Sequence, residues 1–181
     1  NNARALNLMK AGIVYSNFTT TVSPRHAWEA KDSGQGDGLE PTLHTHHYKF
    51  GGVLNGLDYD QFNPETDPDI PAHFNVQTID RKYENKRKLR NRFWLADNEK
   101  PIVAFIGRLD QQKGLELVRH AIFYALSNRA QFVLLGSSPE RAINDHFLGL
   151  KQHLNNSPDC HLEIGYHEEL AHLIYAGADM M

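Results

Sequence analysis

The second half of this chain constrains its fold most, through two nearly unbroken apolar runs. Ile102-Val103-Ala104-Phe105-Ile106 is one, and Phe132-Val133-Leu134-Leu135, flanked by Gln131 and Gly136, is the other. A strand with one wet face alternates polar and apolar residues, so runs of this kind predict strands buried on both faces. Between them Leu115, Val118, Ile122, Ala125 and Leu126 recur at intervals of three and four, the spacing of an amphipathic helix. A further helix is predicted over 140–154, with Ile143, Phe147, Leu150 and Leu154 on one face. A third strand follows over 162–164 and a third helix over 168–176. Strand and helix taking turns at this spacing mean βαβ units, hence an α/β, Rossmann-like half with a parallel sheet flanked by helices.

The stretch up to Phe50 has a different character. The apolar stretch 11–15 is followed by Thr19, Thr20, Thr21 and Val22, whose β-branched side chains favour an extended segment. Pro24 suits the first turn of a helix continuing through Ala30. Asp32 to Gly38 reads as a loop, 39–48 as a short helix, and Gly51 to Gly56 as a turn. Residues 58–71, rich in Pro, Asp and Asn, read as an irregular connection. A polar helix is predicted over 77–95, with Tyr83, Leu89 and Phe93 as its sparse apolar contacts.

Composition removes several classes. Of 181 residues, 40% are hydrophobic and 23% charged, which fits a globular chain rather than a disordered one. A net charge of −3 gives no reason to expect a nucleic-acid partner. No stretch approaches the roughly 20 apolar residues of a membrane-spanning helix. The single cysteine, Cys160, excludes an internal disulfide framework and suits a reducing compartment, the cytoplasm or a plastid stroma. Asn1 replaces a starting methionine, and 178–181 reads as the opening of a buried strand. A longer parent protein is therefore expected.

Chemistry concentrates in the loop that leaves the first strong strand, Gly107-Arg108-Leu109-Asp110-Gln111-Gln112-Lys113-Gly114. Open parallel sheets bind ligands beyond the carboxyl ends of their strands. Two cations beside the start of a helix favour a phosphate there. The alternative is that Arg108 and Lys113 only solvate a surface turn. Neither GxxxxGK[ST] nor GxGxxG is present.

Ile106-Gly107-Arg108-Leu109 through Gln112-Lys113-Gly114-Leu115 resembles the signature of the glycogen and starch synthases, glycosyltransferases of GT-B fold. The resemblance extends through Val22-Ser23-Pro24, Gly52-Val53-Leu54-Asn55-Gly56-Leu57-Asp58, Asn63-Pro64, Leu134-Leu135-Gly136 and Tyr175-Ala176-Gly177-Ala178-Asp179. In detail it looks most like cyanobacterial members and their plastid relatives. Gln111 departs from it, since relatives commonly carry proline there.

The resemblance implies two Rossmann-like domains facing across a cleft. Residues 1–52 would be the remainder of the amino-terminal, acceptor-side domain, and 53–181 the hinge and first part of the nucleotide-sugar domain. It implies a retaining transfer of glucose from ADP-glucose to the non-reducing end of an α-1,4-glucan, with no cofactor and no metal. Arg108 and Lys113 would hold the donor diphosphate, with Gly107 in the same signature. Asn55 would approach the same phosphates, Gly136 and Ser137 would leave room for the nucleotide, and Tyr166 would lie against adenine. A tyrosine at that place is also explained by plain packing. The family's lysine-glycine-glycine motif, active-site histidine and paired glutamates fall outside these residues. Rival readings are another GT-B transferase, using UDP-glucose or making sucrose, and a non-catalytic glucan- or nucleotide-binding module.

Two other signals are set aside. His44, His46 and His47 have no Cys, Asp or Glu at ligand spacing beside them, so a solvated or hydrogen-bonding role is expected. The basic stretch 81–92 lacks aromatic interleaving and reads as a solvated helix face.

Overall fold

The computed structural model describes residues 6–154 and 156–181. The chain divides into two compact units, Asn1–Leu57 and Asp58–Met181.

In the first unit, α1 (Leu8–Tyr15), β1 (Thr19–Thr21), α2 (Pro24–Asp32), α3 (Glu40–Thr45) and β2 (Phe50–Gly52) follow in order. The two strands pair in parallel, Thr19 opposite Phe50 and Thr21 opposite Gly52. The extended threonines and the proline-led helix therefore form as expected, with Ser23 capping α2 by accepting from the His26 N–H at 3.0 Å. Two expectations are corrected. Gly51 and Gly52 lie in β2 rather than in a turn, because their backbones pair with Thr20 and Thr21. The helix predicted over 39–48 ends at Thr45, and a 3₁₀ turn, His47–Lys49, follows it. Buried Lys49 donates from Nζ to the carbonyls of Val14 and Ser16, each at 2.7 Å, satisfying groups left open at the end of α1.

The second unit holds α4 (Lys82–Phe93), β3 (Ile102–Ile106), α5 (Leu115–Ser127), β4 (Gln131–Gly136), α6 (Arg141–Leu154), β5 (Cys160–Ile164) and α7 (Glu168–Gly177). Its sheet is parallel in the order β3-β4-β5. On the other side of β3, Met180 bridges Val103 in parallel, and the Ala104 N–H donates to the Met180 carbonyl at 2.8 Å. Alternation sorts the side chains. Phe132, Leu134, Cys160 and Leu162 pack with Leu115, Val118, Ile122 and Phe147, so α5 and α6 cover one face. Ile102, Ala104, Val133 and Leu135 pack with Leu89, Phe93, Leu170 and Ile174, so α4 and α7 cover the other. From β3 the chain thus builds outward in both directions, with helices on opposite faces. That makes the carboxyl end of β3 the topological switch point, where sheets of this class take their ligands.

The polar helix predicted over 77–95 is two elements. Val76–Arg81 is a 3₁₀ helix, opened by a capping box in which the Asn75 side chain accepts from the Thr78 N–H and Thr78 returns to the Asn75 N–H. Then α4 runs to Phe93 and stops at Trp94, whose φ of 53° is left-handed. Leu89 and Phe93 are buried, whereas Tyr83 is 67% exposed and makes no core contact. Nor is the basic stretch simply a solvated face. Lys86 pairs with Asp179 at 2.8 Å, and Arg90 donates to Gln131 Oε1 at 2.9 Å and to the Lys100 carbonyl at 2.7 Å. Both side chains are buried because α4 lies against the sheet, where they satisfy polar groups at the entry to β3 and β4.

The connection after Asp58 is irregular, as its composition suggests, yet it is anchored. Asp67 is buried against α7, its Oδ2 lying 2.6 Å from His172 Nδ1, while Phe62 stacks on the same imidazole at a centroid distance of 4.6 Å.

Candidate active site

Three loops at the carboxyl edge of the sheet, after β3, β4 and β5, are held together by backbone. The Gly107 N–H donates to the Leu135 carbonyl at 3.0 Å, the Leu109 N–H to Ser137 at 2.8 Å, and the Gly165 N–H to Gly136 at 3.0 Å. Leu109 is fully buried and roots the first loop in the core. At Gly136 a Cβ would stand 2.2 Å from the Gly107 carbonyl oxygen, so only glycine permits this approach. Gly107, Gly136 and Ser137 are thus neighbours in space.

Beyond Leu109 the chain makes a 3₁₀ turn, Gln111–Lys113, and enters α5 through Gly114, at a left-handed φ of 67°. No side chain caps α5: the Leu117 N–H turns back to the Gly114 carbonyl at 2.8 Å, while the Leu115 and Glu116 amides make no hydrogen bond among the described residues and are available to a ligand. Arg108 and Lys113 flank this opening, and both are exposed. The contact from Arg108 to the nearest carboxylate, Asp110, is a loose 3.9 Å with the Arg108 side chain 77% exposed. Lys113 takes part in no ion pair among the described residues. Two cations without strong partners beside an uncapped helix start make an anion-binding corner.

Tyr166 follows β5 on the same edge. It is 80% exposed, which removes core packing as its explanation, and its Oη donates to Glu168 Oε2 at 3.4 Å. Glu168 also accepts from Gln61 Nε2 at 2.6 Å. A recess of about 560 Å³ runs from Tyr166 along the start of α7. Asn55 belongs to the first unit, on the exposed stretch after β2.

One arrangement of ligand-type groups was not visible in the sequence. Asp67, Asp69 and His172 bring ligand-type atoms within 4.8 Å of one another, although no carboxylate set was visible in the sequence. They sit on the connection after Asp58 and on α7, not on the cation loop. Asp67 is already engaged, by His172 through Oδ2 and by the Asp69 N–H through Oδ1 at 2.8 Å. In the first unit, His44 Nε2 lies 3.3 Å from Asp32 Oδ1, and His47 Nδ1 lies 3.0 Å from the His44 carbonyl, the hydrogen-bonding role expected of that cluster. Burial pushes the Cys160 thiol up to about 12, so this cysteine is not a nucleophile.

Known proteins agree with the fold and with each other. The starch synthase catalytic domain profile matches residues 1–45. Glycogen synthase 2 of Methylococcus capsulatus is 69% identical over 99% of this chain and 37% of its own length. Glycogen synthase 1 of a Synechococcus species is 57% identical over the same shares. The likeness to cyanobacterial members is thus matched and exceeded outside them. The catalytic domain of starch synthase IV from Arabidopsis thaliana, solved bound to ADP and acarbose, superposes with a TM-score of 0.93 at 44% identity. That match covers 96% of this chain and 36% of the other. The chain therefore spans a little over a third of the length of these relatives. With such identities along almost its whole length, and a parallel α/β sheet to match, the chain is similar throughout to part of the glycogen and starch synthases.

Proposed function

We propose that this chain supplies the donor-nucleotide side of a retaining glucosyltransferase that moves glucose from ADP-glucose to the non-reducing end of an α-1,4-glucan. The observation that carries the reading is the exposed, weakly partnered pair Arg108 and Lys113 at the switch point of the sheet, beside a helix start that no side chain caps. Breaking the glucosyl–phosphate bond builds negative charge on the departing ADP. Fixed cations at that place stabilise the transition state more than the bound donor, which is what raises a rate. They also supply the charge that a divalent metal would otherwise bring, so the reaction is expected to survive exhaustive chelation.

Around them, Gly107 and Gly136 pack closely together beside Ser137, at the edge where the diphosphate and ribose would lie, and the exposed Tyr166 ring offers a face to a base. A role for Asn55 toward the same phosphates rests on the family resemblance alone. The ADP and acarbose of the related starch synthase IV support a nucleotide-sugar donor and a glucan acceptor here. No described helix is long and apolar enough to cross a membrane, and with one buried thiol the chain suits the cytoplasm.

The test is glucose incorporation into glycogen by the complete enzyme, with ADP-glucose and UDP-glucose compared as donors. A clear preference for ADP-glucose is expected. Equal use of both donors overturns the donor assignment, and incorporation from neither overturns the transferase reading in favour of a binding module.

A further inference from the structure

We infer that Glu168 reads the exocyclic amino group of the donor base, and that Gln61 is the positioning residue that aims it. The inference deepens the donor reading above and rests on it. Tyr166 presents a ring that is 80% exposed at the carboxyl edge of the sheet, and a base stacked on it exposes its polar edge to whatever borders the ring. What borders it is a carboxylate. Glu168 Oε2 accepts from the Tyr166 hydroxyl at 3.4 Å, and Oε1 accepts from Gln61 Nε2 at 2.6 Å.

A glutamate in the first turn of a helix normally sweeps freely through solvent. This one is held at both oxygens, by the very ring that would carry the base and by a residue 107 positions away in sequence. Side-chain entropy is lost to keep it there. Each carboxylate oxygen retains a further lone pair, so an additional donor is accommodated without breaking either bond.

The charge of the recess narrows what that donor is. Asp69, Glu168 and Glu169 line it against the single guanidinium of Arg92. An excess of carboxylates repels a phosphate and favours N–H groups. The cation loop and the recess therefore divide one nucleotide between them, diphosphate at Arg108 and Lys113, base at Tyr166 and Glu168. A carboxylate offers acceptors and no donor. It accepts from the 6-amino group of adenine and repels a carbonyl oxygen in the same place, as in hypoxanthine.

The experiment compares ADP-glucose with inosine-diphosphate-glucose, which keeps the purine ring and replaces the amino group with a carbonyl. In the complete enzyme the wild type should favour ADP-glucose in kcat/KM by about 10- to 100-fold, the usual yield of one hydrogen bond to a charged group. Glu168→Gln, able to donate to the carbonyl, should bring the two donors to within a few-fold. The change should fall more on KM than on kcat. Gln61→Ala should narrow the preference partly, since it frees Glu168 without removing it. Titration calorimetry with ADP and inosine diphosphate gives the same comparison independently of turnover, so a variant with impaired chemistry still reports. An unchanged adenine-to-hypoxanthine ratio in Glu168→Gln overturns the inference while leaving the donor reading intact. A wild type that uses neither purine donor but accepts UDP-glucose overturns the donor reading, and the inference with it.

Discussion

Two sets of basic residues in the second unit look alike in sequence and differ entirely in the fold. Lys86 and Arg90, on α4, are buried and fully engaged, by Asp179 in one case and by Gln131 and the Lys100 carbonyl in the other. Arg108 and Lys113, on the loop after β3, are exposed, with one 3.9 Å contact between them and any carboxylate. The first set answers needs inside the fold, closing polar groups that the sheet would leave unsatisfied. The second answers no need of the folded chain, and a cation that the structure leaves unengaged at a ligand-binding edge is available to a substrate. Partnering separates structure from function here, where charge alone does not.

The comparison is sharpest in the largest effects. In the complete enzyme, Lys113→Ala and Arg108→Ala should each lower kcat by about 10²- to 10³-fold, as removal of one charge-stabilising donor does elsewhere. Their thermal midpoints should stay at the wild-type value, because neither side chain supports the fold. Lys113→Arg should not fully rescue, since a planar fork does not reproduce a compact ammonium. Initial rates against ADP-glucose concentration, with melting curves alongside, decide it. Wild-type kcat in both alanine variants would reduce the loop to a surface turn.

Arg90→Met is the mirror experiment. It leaves Gln131 Oε1 and the Lys100 carbonyl without their donor, at about 1–3 kcal/mol for each buried group orphaned. Chemical denaturation should show the loss, while kcat per folded molecule stays close to wild type. A variant as stable as wild type would mean that these bonds contribute nothing net, and the comparison would fail on its structural side.

Why one set was legible and the other was not follows from distance along the chain. The loop after β3 is local: apolar strand, Gly107, cations, Gly114 and amphipathic helix are contiguous, so periodicity alone places Arg108 and Lys113 at a sheet edge. Arg90 meets Gln131 across 41 positions, and Asp67 meets His172 across 105, and no local pattern announces either pair. Glu168 illustrates the same limit. Its place at the start of α7 is readable, but its fixation by Gln61 is tertiary. The division of 76–93 into two helices was readable in principle. Asn75 and Thr78 form a reciprocal cap, though with Asn and Thr in place of the commoner Ser and Glu.

A smaller effect concerns pH. Burial pushes His161 below its ordinary value of 6.5, and its 3.0 Å contact with Glu163 recovers only part of that shift. The fold therefore prefers the neutral imidazole, which Phe93 stacks upon at 4.2 Å. A group whose folded value is lowered contributes stability that is complete above its unfolded value and is lost as the pH falls toward the folded one. The melting temperature should accordingly drop as the pH falls from about 7 to about 5, in part through this residue. His161→Gln keeps a donor toward Glu163 and does not titrate, so it should flatten that part of the profile. An identical profile in the variant would assign the acid sensitivity elsewhere.

The smallest effect tests whether the cation loop is shaped by its charges or by its backbone. Gln111 is a departure from the signature that the loop resembles, which implies proline at this position. The structure already accepts the ring. Gln111 opens the 3₁₀ turn Gln111–Lys113, a first helical position, and its N–H is used in none of the hydrogen bonds among the described residues. Asp110, just before it, sits at φ −133° and ψ 161°, the extended region to which a following proline restricts its neighbour. Gln111→Pro should therefore stabilise the chain by about 0.4–1 kcal/mol, through a less varied unfolded state, and leave kcat within a factor of about two. Arg108 and Lys113 would keep their places, because the bonds from Lys113 to Asp110 and from Gly114 to Gln111 use groups that the substitution spares. If kcat instead rises or falls tenfold with no change in folding, then the stiffness of the turn, and not only its two charges, sets how the diphosphate is held.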